Sequence, residues 1–312
     1  MTAAELRIGT RGSRLARAQA TEVADRLRAA LDRPTTLVPV RTEGDVSDRP
    51  LTEFGGQGVF VSALRDALLR GDVDVAVHSL KDLPTATDVD VALAAVPTRR
   101  DPRDVLVARD RLTLAELPDG ATIGTGSPRR AAQIHALGLG LDVVPIRGNV
   151  DTRMDKALRL GEVDGVVLAR AGLARLGRLD DVTEVLDPLQ MLPAPGQGAL
   201  AVECRAGDHD LVALVRTALD DPATRAAVTA ERSLLATLEA GCAAPVGALG
   251  EIADGGDGDE LWLRAVALDL DGRSQIRTSI VGPPDEAHDV GRRLAEQMLT
   301  DGAAELYKER VS

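Results

Sequence analysis

Aromatic residues are nearly absent from this chain: it has two phenylalanines, one tryptophan and one tyrosine.

 The one tyrosine is Tyr307, the one tryptophan Trp262, and the two phenylalanines are Phe54 and Phe60. The core must therefore be built from leucine, valine, alanine and isoleucine. Cysteine is scarce as well. Cys204 and Cys242 stand alone and far apart, which excludes a disulfide framework. The four histidines, His78, His135, His209 and His288, are scattered, and no His/Cys pair has metal-ligand spacing, so no zinc site is expected. Basic charge falls short of acidic charge, with 37 Lys and Arg against 49 Asp and Glu and a net charge of −12. Such a balance argues against whole-surface binding to nucleic acid or an anionic membrane. No run approaches the ~20 apolar residues that a membrane span needs. The opening Met-Thr-Ala-Ala-Glu-Leu-Arg runs into a strand pattern without an apolar signal segment. The expectation is a cytoplasmic protein.

What is present is ample for a folded interior. At 312 residues and 44% hydrophobic content the chain predicts two or three domains. Leu6–Thr10 reads as a strand that empties into Gly-Thr-Arg-Gly-Ser (9–13), with Ser13 as N-cap of a helix whose apolar face holds Leu15, Val23, Leu27 and Leu31. A helix start with Arg11 beside it attracts anions, although a surface arginine on a capped helix accounts for this unit equally well. Residues 43–58 read as a mobile loop. Asp74–Ser79 reads as a buried strand ending at Lys81, Asp82 and Pro84, and ligands gather at the carboxyl ends of strands in open α/β sheets. After a break at 98–103, strand-turn-helix units repeat and predict a parallel sheet. Residues 125–178 hold nine basic residues against five acidic ones, a local excess of positive charge in an acidic chain. Solvated helix faces account for Lys156 and Arg159. Arg129, Arg130 and Arg147 fall at strand-to-helix turns and read as a pocket for several carboxylates or phosphates.

Leu192–Gly198 reads as a rigid return crossing, followed by a strand in which Cys204 is a packed core cysteine. A long helical pattern then delivers Leu-Glu-Ala-Gly-Cys-Ala-Ala-Pro-Val-Gly (238–247), which places Cys242 on a loop with small, open neighbours. Three further strand patterns and a helix from about 284 to 308 form a small α+β domain, with Asp271-Gly272 at a hairpin turn.

Several of these stretches form an ordered set: G-T-R-G-S (9–13), H-S-L-K-D-L-P (78–84), D-P-R-D (101–104), G-T-G-S-P-R-R (124–130), R-G-N-V-D-T-R (147–153), A-G-L-A-R-L-G (171–177), L-P-A-P-G-Q-G-A (192–199), A-E-R (230–232) and L-E-A-G-C-A-A-P-V-G (238–247). In this order, over essentially the whole length, the chain resembles the hydroxymethylbilane synthase (porphobilinogen deaminase) family. The resemblance implies an α/β fold of two domains similar to periplasmic binding proteins, facing each other across a cleft, plus a small C-terminal α+β domain. Residues 1–97 and 198–216 would form the first domain, 98–197 the second, and 217–312 the third. It implies a dipyrromethane cofactor held by a thioether to Cys242. Onto this primer four porphobilinogens are added head to tail, and water releases the linear product.

By the same carry-over, Ser79, Lys81, Thr125, Ser127, Arg129, Arg130 and Gln197 bind the cofactor with Cys242, and Arg11, Ser13, Gln19, Arg147, Arg153 and Arg175 handle substrate and the growing chain. Asp82 is the catalytic carboxylate. Loss of ammonia needs a proton at the leaving amine and leaves a cationic azafulvene, and the coupled product must then lose a proton; one carboxylate can serve both needs. The family further implies a monomer whose product is handed to uroporphyrinogen III synthase. One stretch departs from the pattern. Many relatives read G-G-K-G-x-F-x-K where this chain has Gln57 and Ser62 in place of the two lysines, while Phe60 is kept. Two rival readings follow from the residues alone. A binding module for a small polycarboxylate would explain the arginines without Asp82 or Cys242. A cysteine-nucleophile transferase would want a histidine near Cys242, and none is close in sequence.

Overall fold

The computed structural model describes residues 5–40, 59–240, 244–256 and 258–307. Cys242 and the 43–58 loop, with Gln57, lie outside the described residues. The chain divides into two compact units, residues 1–100 with 198–225, and residues 101–197 with 226–312.

In chain order the first unit supplies β1 (Leu6–Arg11), α1 (Arg14–Leu31), β2 (Thr35–Val40), α2 (Val59–Leu69), β3 (Val75–Ser79) and β4 (Val91–Ala95). The second supplies β5 (Asp104–Ala108), β6 (Thr122–Gly124), α3 (Pro128–Ala136), β7 (Asp142–Val144), α4 (Val150–Leu158), β8 (Gly165–Ala169), α5 (Arg170–Leu176) and β9 (Glu184–Val185). The chain returns to the first unit for β10 (Leu200–Arg205) and α6 (His209–Leu219). It leaves again along α7 (Pro222–Thr237) and ends with β11 (Val246–Asp254), β12 (Asp259–Leu268), β13 (Gln275–Gly282), α8 (Ala287–Thr300) and α9 (Ala303–Tyr307).

Each unit is built on a five-stranded sheet, ordered β2-β1-β3-β10-β4 in the first and β7-β6-β8-β5-β9 in the second. The parallel sheet expected after the 98–103 break is mixed, and so is the sheet of the first unit. β1 runs parallel to β2 and β3, but β10 is antiparallel to both β3 and β4. Likewise β6 is parallel to β7 and β8, whereas β5 is antiparallel to β8 and β9. The strands that reverse are those through which the chain enters a sheet after crossing from the other unit. They are not βα repeats, so nothing obliges them to follow the parallel direction. A separate antiparallel sheet, β11-β12-β13, forms the small C-terminal part. Two α/β sheets plus a small C-terminal sheet is the expected fold class.

The interior is aliphatic, as the scarcity of aromatics requires. In the first unit Leu6, Ile8, Val23, Leu27, Val75, Val202 and Cys204 share one core. Ser13 caps α1 by accepting a hydrogen bond from the Ala16 N–H at 3.2 Å, and Ala20, Val23, Ala24 and Leu27 form its buried stripe. Cys204 is completely buried, and burial pushes its thiol up to about 12. In the second unit α3 lies against the C-terminal sheet through Ala132, Ala136, Leu249, Val266 and Leu268. The crossing segment is anchored there too. Glu231, fully buried on α7, accepts from the Gly196 N–H at 2.6 Å and from the Gly250 N–H at 2.8 Å. A buried carboxylate with two backbone donors fixes the segment that carries Gln197.

Candidate functional site

In the first unit the site residues come from two strand ends. β1 stops at Arg11, and Gly12 and Ser13 turn the chain into α1. β3 stops at Ser79, and a single 3₁₀ turn, Leu80–Asp82, follows before Pro84 redirects the chain. Because β1 and β3 are parallel neighbours, their carboxyl ends open on the same rim. A pocket lies there, lined by Arg11, Ser13, Gln19, His78, Ser79 and Asp82 among others. Gln19, one turn into α1 and 6% exposed, donates through Nε2 to Ser79 Oγ at 2.8 Å and so ties the two strand ends together. Lys81 and Asp82 are exposed, while Leu80 and Leu83 on either side are buried and hold the turn in place.

Behind this pocket lies an ionic cluster that the sequence did not single out. Glu203, on β10, accepts from Arg65 Nη2 at 2.6 Å and Nε at 3.0 Å, and His78 Nε2 stands 3.2 Å from its Oε2. Burial by itself would raise this carboxyl, but the close approach of His78 and the hydrogen bonds and charge of Arg65 outweigh it and hold Glu203 at about 2. The folded value lies below the ordinary 4.5, so the stabilisation is present in full above about pH 4.5 and is lost as the pH falls towards 2. Glu203→Gln is expected to cost about 2 kcal/mol at neutral pH, because it leaves the half-buried Arg65 guanidinium with the more distant Asp88, at 3.5 Å, as its counter-charge. It should also flatten the decline in stability between those two pH values, which urea titrations at a series of pH values will read.

In the second unit the strand-to-helix turns gather the arginines. α3 begins at Pro128, which places Arg129 and Arg130 in its first turn, 4% and 5% exposed. Both reach a carboxylate at the head of β5. Arg129 Nη2 donates to Asp104 Oδ2 at 2.8 Å, and Arg130 Nε and Nη2 donate to Asp104 Oδ1 at 3.1 and 2.8 Å. Gln197 Nε2 donates to the same Oδ1 at 2.8 Å and to the Pro102 carbonyl at 2.7 Å. Burial pushes the Asp104 carboxyl up, but the charges of Arg129 and Arg130 prevail and hold it at about 2. Burial, with Arg130 beside it, pushes the Arg129 guanidinium below its ordinary value against the pull of Asp104; it starts from so high a value that it stays charged.

The turn that precedes α3 is equally tight. Thr125, 4% exposed, accepts through Oγ1 from the Ser127 N–H at 3.2 Å. A Cβ on Gly126 would stand 2.9 Å from the Ile146 carbonyl oxygen and 3.9 Å from Arg153 Nη2, so the glycine permits a close approach and Arg153 lies alongside this turn. Asn149 caps α4 by accepting from the Thr152 N–H at 2.9 Å, and Arg153 Nε donates to the Gly148 carbonyl at 2.8 Å. Burial lowers the Arg153 guanidinium's affinity for its proton, and Arg130 and Arg147 add to that. Arg129, Arg130, Arg147 and Arg153 thus form one electrostatic group. Arg175 is on α5, half-buried.

Arg11, Ser13, Gln19, Ser79 and Asp82 therefore meet at one rim of the first unit, and Thr125, Ser127, Arg129, Arg130, Arg153 and Gln197 belong to one region of the second. Asp104 is the participant that sequence reasoning missed. Its signal was the second aspartate of the D-P-R-D stretch, directly before the apolar run Val105–Ala108.

Comparison with known proteins decides the family. The family model described as porphobilinogen deaminase, dipyromethane cofactor binding domain, matches residues 6–213, and the one for the porphobilinogen deaminase C-terminal domain matches residues 225–300. The chain belongs to the porphobilinogen deaminase family. Porphobilinogen deaminase 1 of Streptomyces avermitilis is 58% identical, over 99% of this chain and 99% of that one. Porphobilinogen deaminase of Nocardia farcinica is 57% identical, over 99% of this chain and 89% of that one. Among solved structures, the methionine binding protein MetQ is 13% identical with a TM-score of 0.45, covering 69% of this chain and 89% of that one.

The cofactor that names the family's larger domain is a dipyrromethane, a group with several carboxylates. The donor set suits it. A guanidinium has five N–H donors, and Arg129 spends Nη1 on the Leu192 carbonyl and Nη2 on Asp104, while its buried Nε meets no hydrogen-bond acceptor among the described residues. Lysine would offer only a point charge in place of this planar fork.

Proposed function

We propose that this protein is a hydroxymethylbilane synthase, which deaminates porphobilinogen, joins four of these units head to tail on a dipyrromethane attached to Cys242, and releases the linear product to water. The observation that carries the reading is the 58% identity to a porphobilinogen deaminase over 99% of both chains. The pocket and the arginine group support it, because each substrate unit brings an acetate and a propionate.

When bound, the dipyrromethane supplies the pyrrole carbon to which the first substrate is joined. The chain's own residues divide the remaining work. Asp82 gives a proton to the leaving amine, faces the cation that remains, and takes back the proton that coupling releases. Ser79 and Gln19, locked to each other, and Ser13 offer hydrogen bonds at the same rim, and Arg11 brings positive charge to the substrate's carboxylates. Lys81, Thr125, Ser127, Arg129, Arg130 and Gln197 hold the dipyrromethane, with guanidinium pairing as the main grip. Arg147, Arg153 and Arg175 receive the carboxylates added by elongation. In this reading the three domains are 1–97 with 198–216, 98–197, and 217–312, and the protein works as a cytoplasmic monomer whose product passes to uroporphyrinogen III synthase. No helix among the described residues is long and apolar enough to cross a membrane.

Incubation of the purified protein with porphobilinogen tests the reading through release of ammonia and formation of a linear tetrapyrrole. A polycarboxylate-binding module would retain the compound unchanged. Arg147→Ala and Arg153→Ala are each expected to slow elongation by about 10- to 100-fold, the loss that follows from one charge-assisted contact. Partly elongated enzyme–substrate complexes should then accumulate and be visible by intact mass. Normal progress through every addition would remove these two arginines from the site.

A further inference from the structure

Asp104 is fully buried and receives four side-chain hydrogen bonds, one from Arg129, two from Arg130 and one from Gln197. All three donors belong to the residues that the functional reading assigns to the cofactor. The remaining bonds of the two arginines go to main chain: Arg129 Nη1 to the Leu192 carbonyl, and Arg130 Nη1 to the Val167 carbonyl at 3.0 Å. Leu192 lies in the return crossing and Val167 on β8, so each guanidinium is clamped between a carboxylate and a fixed peptide oxygen. Two guanidinium charges meet one carboxylate. One unit of positive charge is left over in a buried place, and among the described residues no acceptor meets the buried Arg129 Nε. A buried charge without a counter-charge is costly, and an anionic ligand would complete it.

We propose that Asp104 is the positioning residue of the cofactor site: its carboxylate fixes the planes of Arg129 and Arg130 and the Gln197 amide, and neutralises only one of the two arginines, so that the second is held oriented for a carboxylate of the dipyrromethane. This rests on the functional reading above. Asp104 acts through the arginines and does not touch the cofactor. A neutral residue here leaves two like charges side by side with no common counter-charge, and the guanidinium planes lose one of their two acceptor oxygens.

The test is the rate at which apoprotein, made in cells that cannot form porphobilinogen, acquires its dipyrromethane from added porphobilinogen, followed by intact mass. Asp104→Asn keeps the shape and removes the charge. It is expected to load at least about tenfold more slowly than the unaltered protein, the scale of one charge-assisted interaction. Asp104→Glu restores the charge but displaces it by one methylene, and its rate should fall between the two. Thermal midpoints measured alongside separate positioning from folding, because loading is compared well below both midpoints. Should Asp104→Asn not fold, Asp104→Glu decides alone, with an expected slowing of about threefold or more at an unchanged midpoint. Loading at the unaltered rate in either folded variant overturns the proposal while leaving the functional reading intact. An unaltered protein that never acquires a dipyrromethane removes the functional reading itself, and the role of Asp104 with it.

Discussion

Cys242→Ser protein is expected to have the mass of its bare sequence, whereas the unaltered protein is heavier by one dipyrromethane, and its turnover should fall by about three orders of magnitude or more. The reasoning begins with the two sulfurs. A thiolate is the form that attaches to carbon, and its availability depends on exposure and local charge. Cys204 fails on both counts. It is completely buried in the core of the first unit, and burial holds its thiol at about 12. Cys242 is flanked by Gly241, Ala243 and Ala244, residues that present no bulk to an incoming group. A serine hydroxyl in its place is essentially un-ionised at neutral pH, so attachment should fail. Cys204→Ala is the control. It should retain the added mass and the activity, at a cost in stability of about 1 kcal/mol for a small core void. An active preparation of the unaltered protein with only its bare mass would sink the tether. So would a Cys242→Ser protein that still carries the dipyrromethane.

The rim of the first unit was legible in the sequence because its signals are local. Ser13 reads as a cap, Asp74–Ser79 as a buried strand, and Pro84 as the end of the turn behind Asp82, and each feature needs only its immediate neighbours. The arginine excess between 125 and 178 was legible as a count. Its pairing was not, since Asp104 lies 25 positions from Arg129 and 93 from Gln197, and no periodicity links a strand head to a helix start or to a crossing segment. The same limit explains the sheets. Alternating strands and helices predict parallel neighbours, but β5 and β10 enter after a crossing and reverse direction. The Glu203–Arg65–His78 cluster was hidden for a similar reason: Arg65 sits in an ordinary amphipathic helix, and only the antiparallel pairing of β10 with β3 brings Glu203 near His78.

Asp82→Asn is expected to lower the turnover number by about 10²- to 10⁴-fold, the range over which a positioned acid–base group acts, while the protein keeps its fold and its dipyrromethane. Asparagine preserves the volume and one carbonyl acceptor. It cannot give up or accept the proton, and it offers no charge to a cation. The substrate's chemistry needs both: a proton at the leaving amine, then a counter-charge beside the positive carbon, then a base for the hydrogen lost on coupling. Lys81, the neighbouring exposed side chain, cannot replace it, because an ammonium next to a developing cation raises the barrier instead of lowering it. The fold should survive because Asp82 is exposed, on a turn held by the buried Leu80 and Leu83. KM should change little, since the carboxylates of the substrate are held by other residues, and an interaction made mainly in the transition state appears in turnover. Asp82→Glu, with the carboxylate moved by one methylene, should lie between, about 10- to 100-fold below the unaltered protein. Initial rates of tetrapyrrole formation, read beside intact mass, separate the cases. Loss of the dipyrromethane together with activity would make Asp82 a loading residue, and near-normal turnover in Asp82→Asn would move the proton transfer to another group at the same rim.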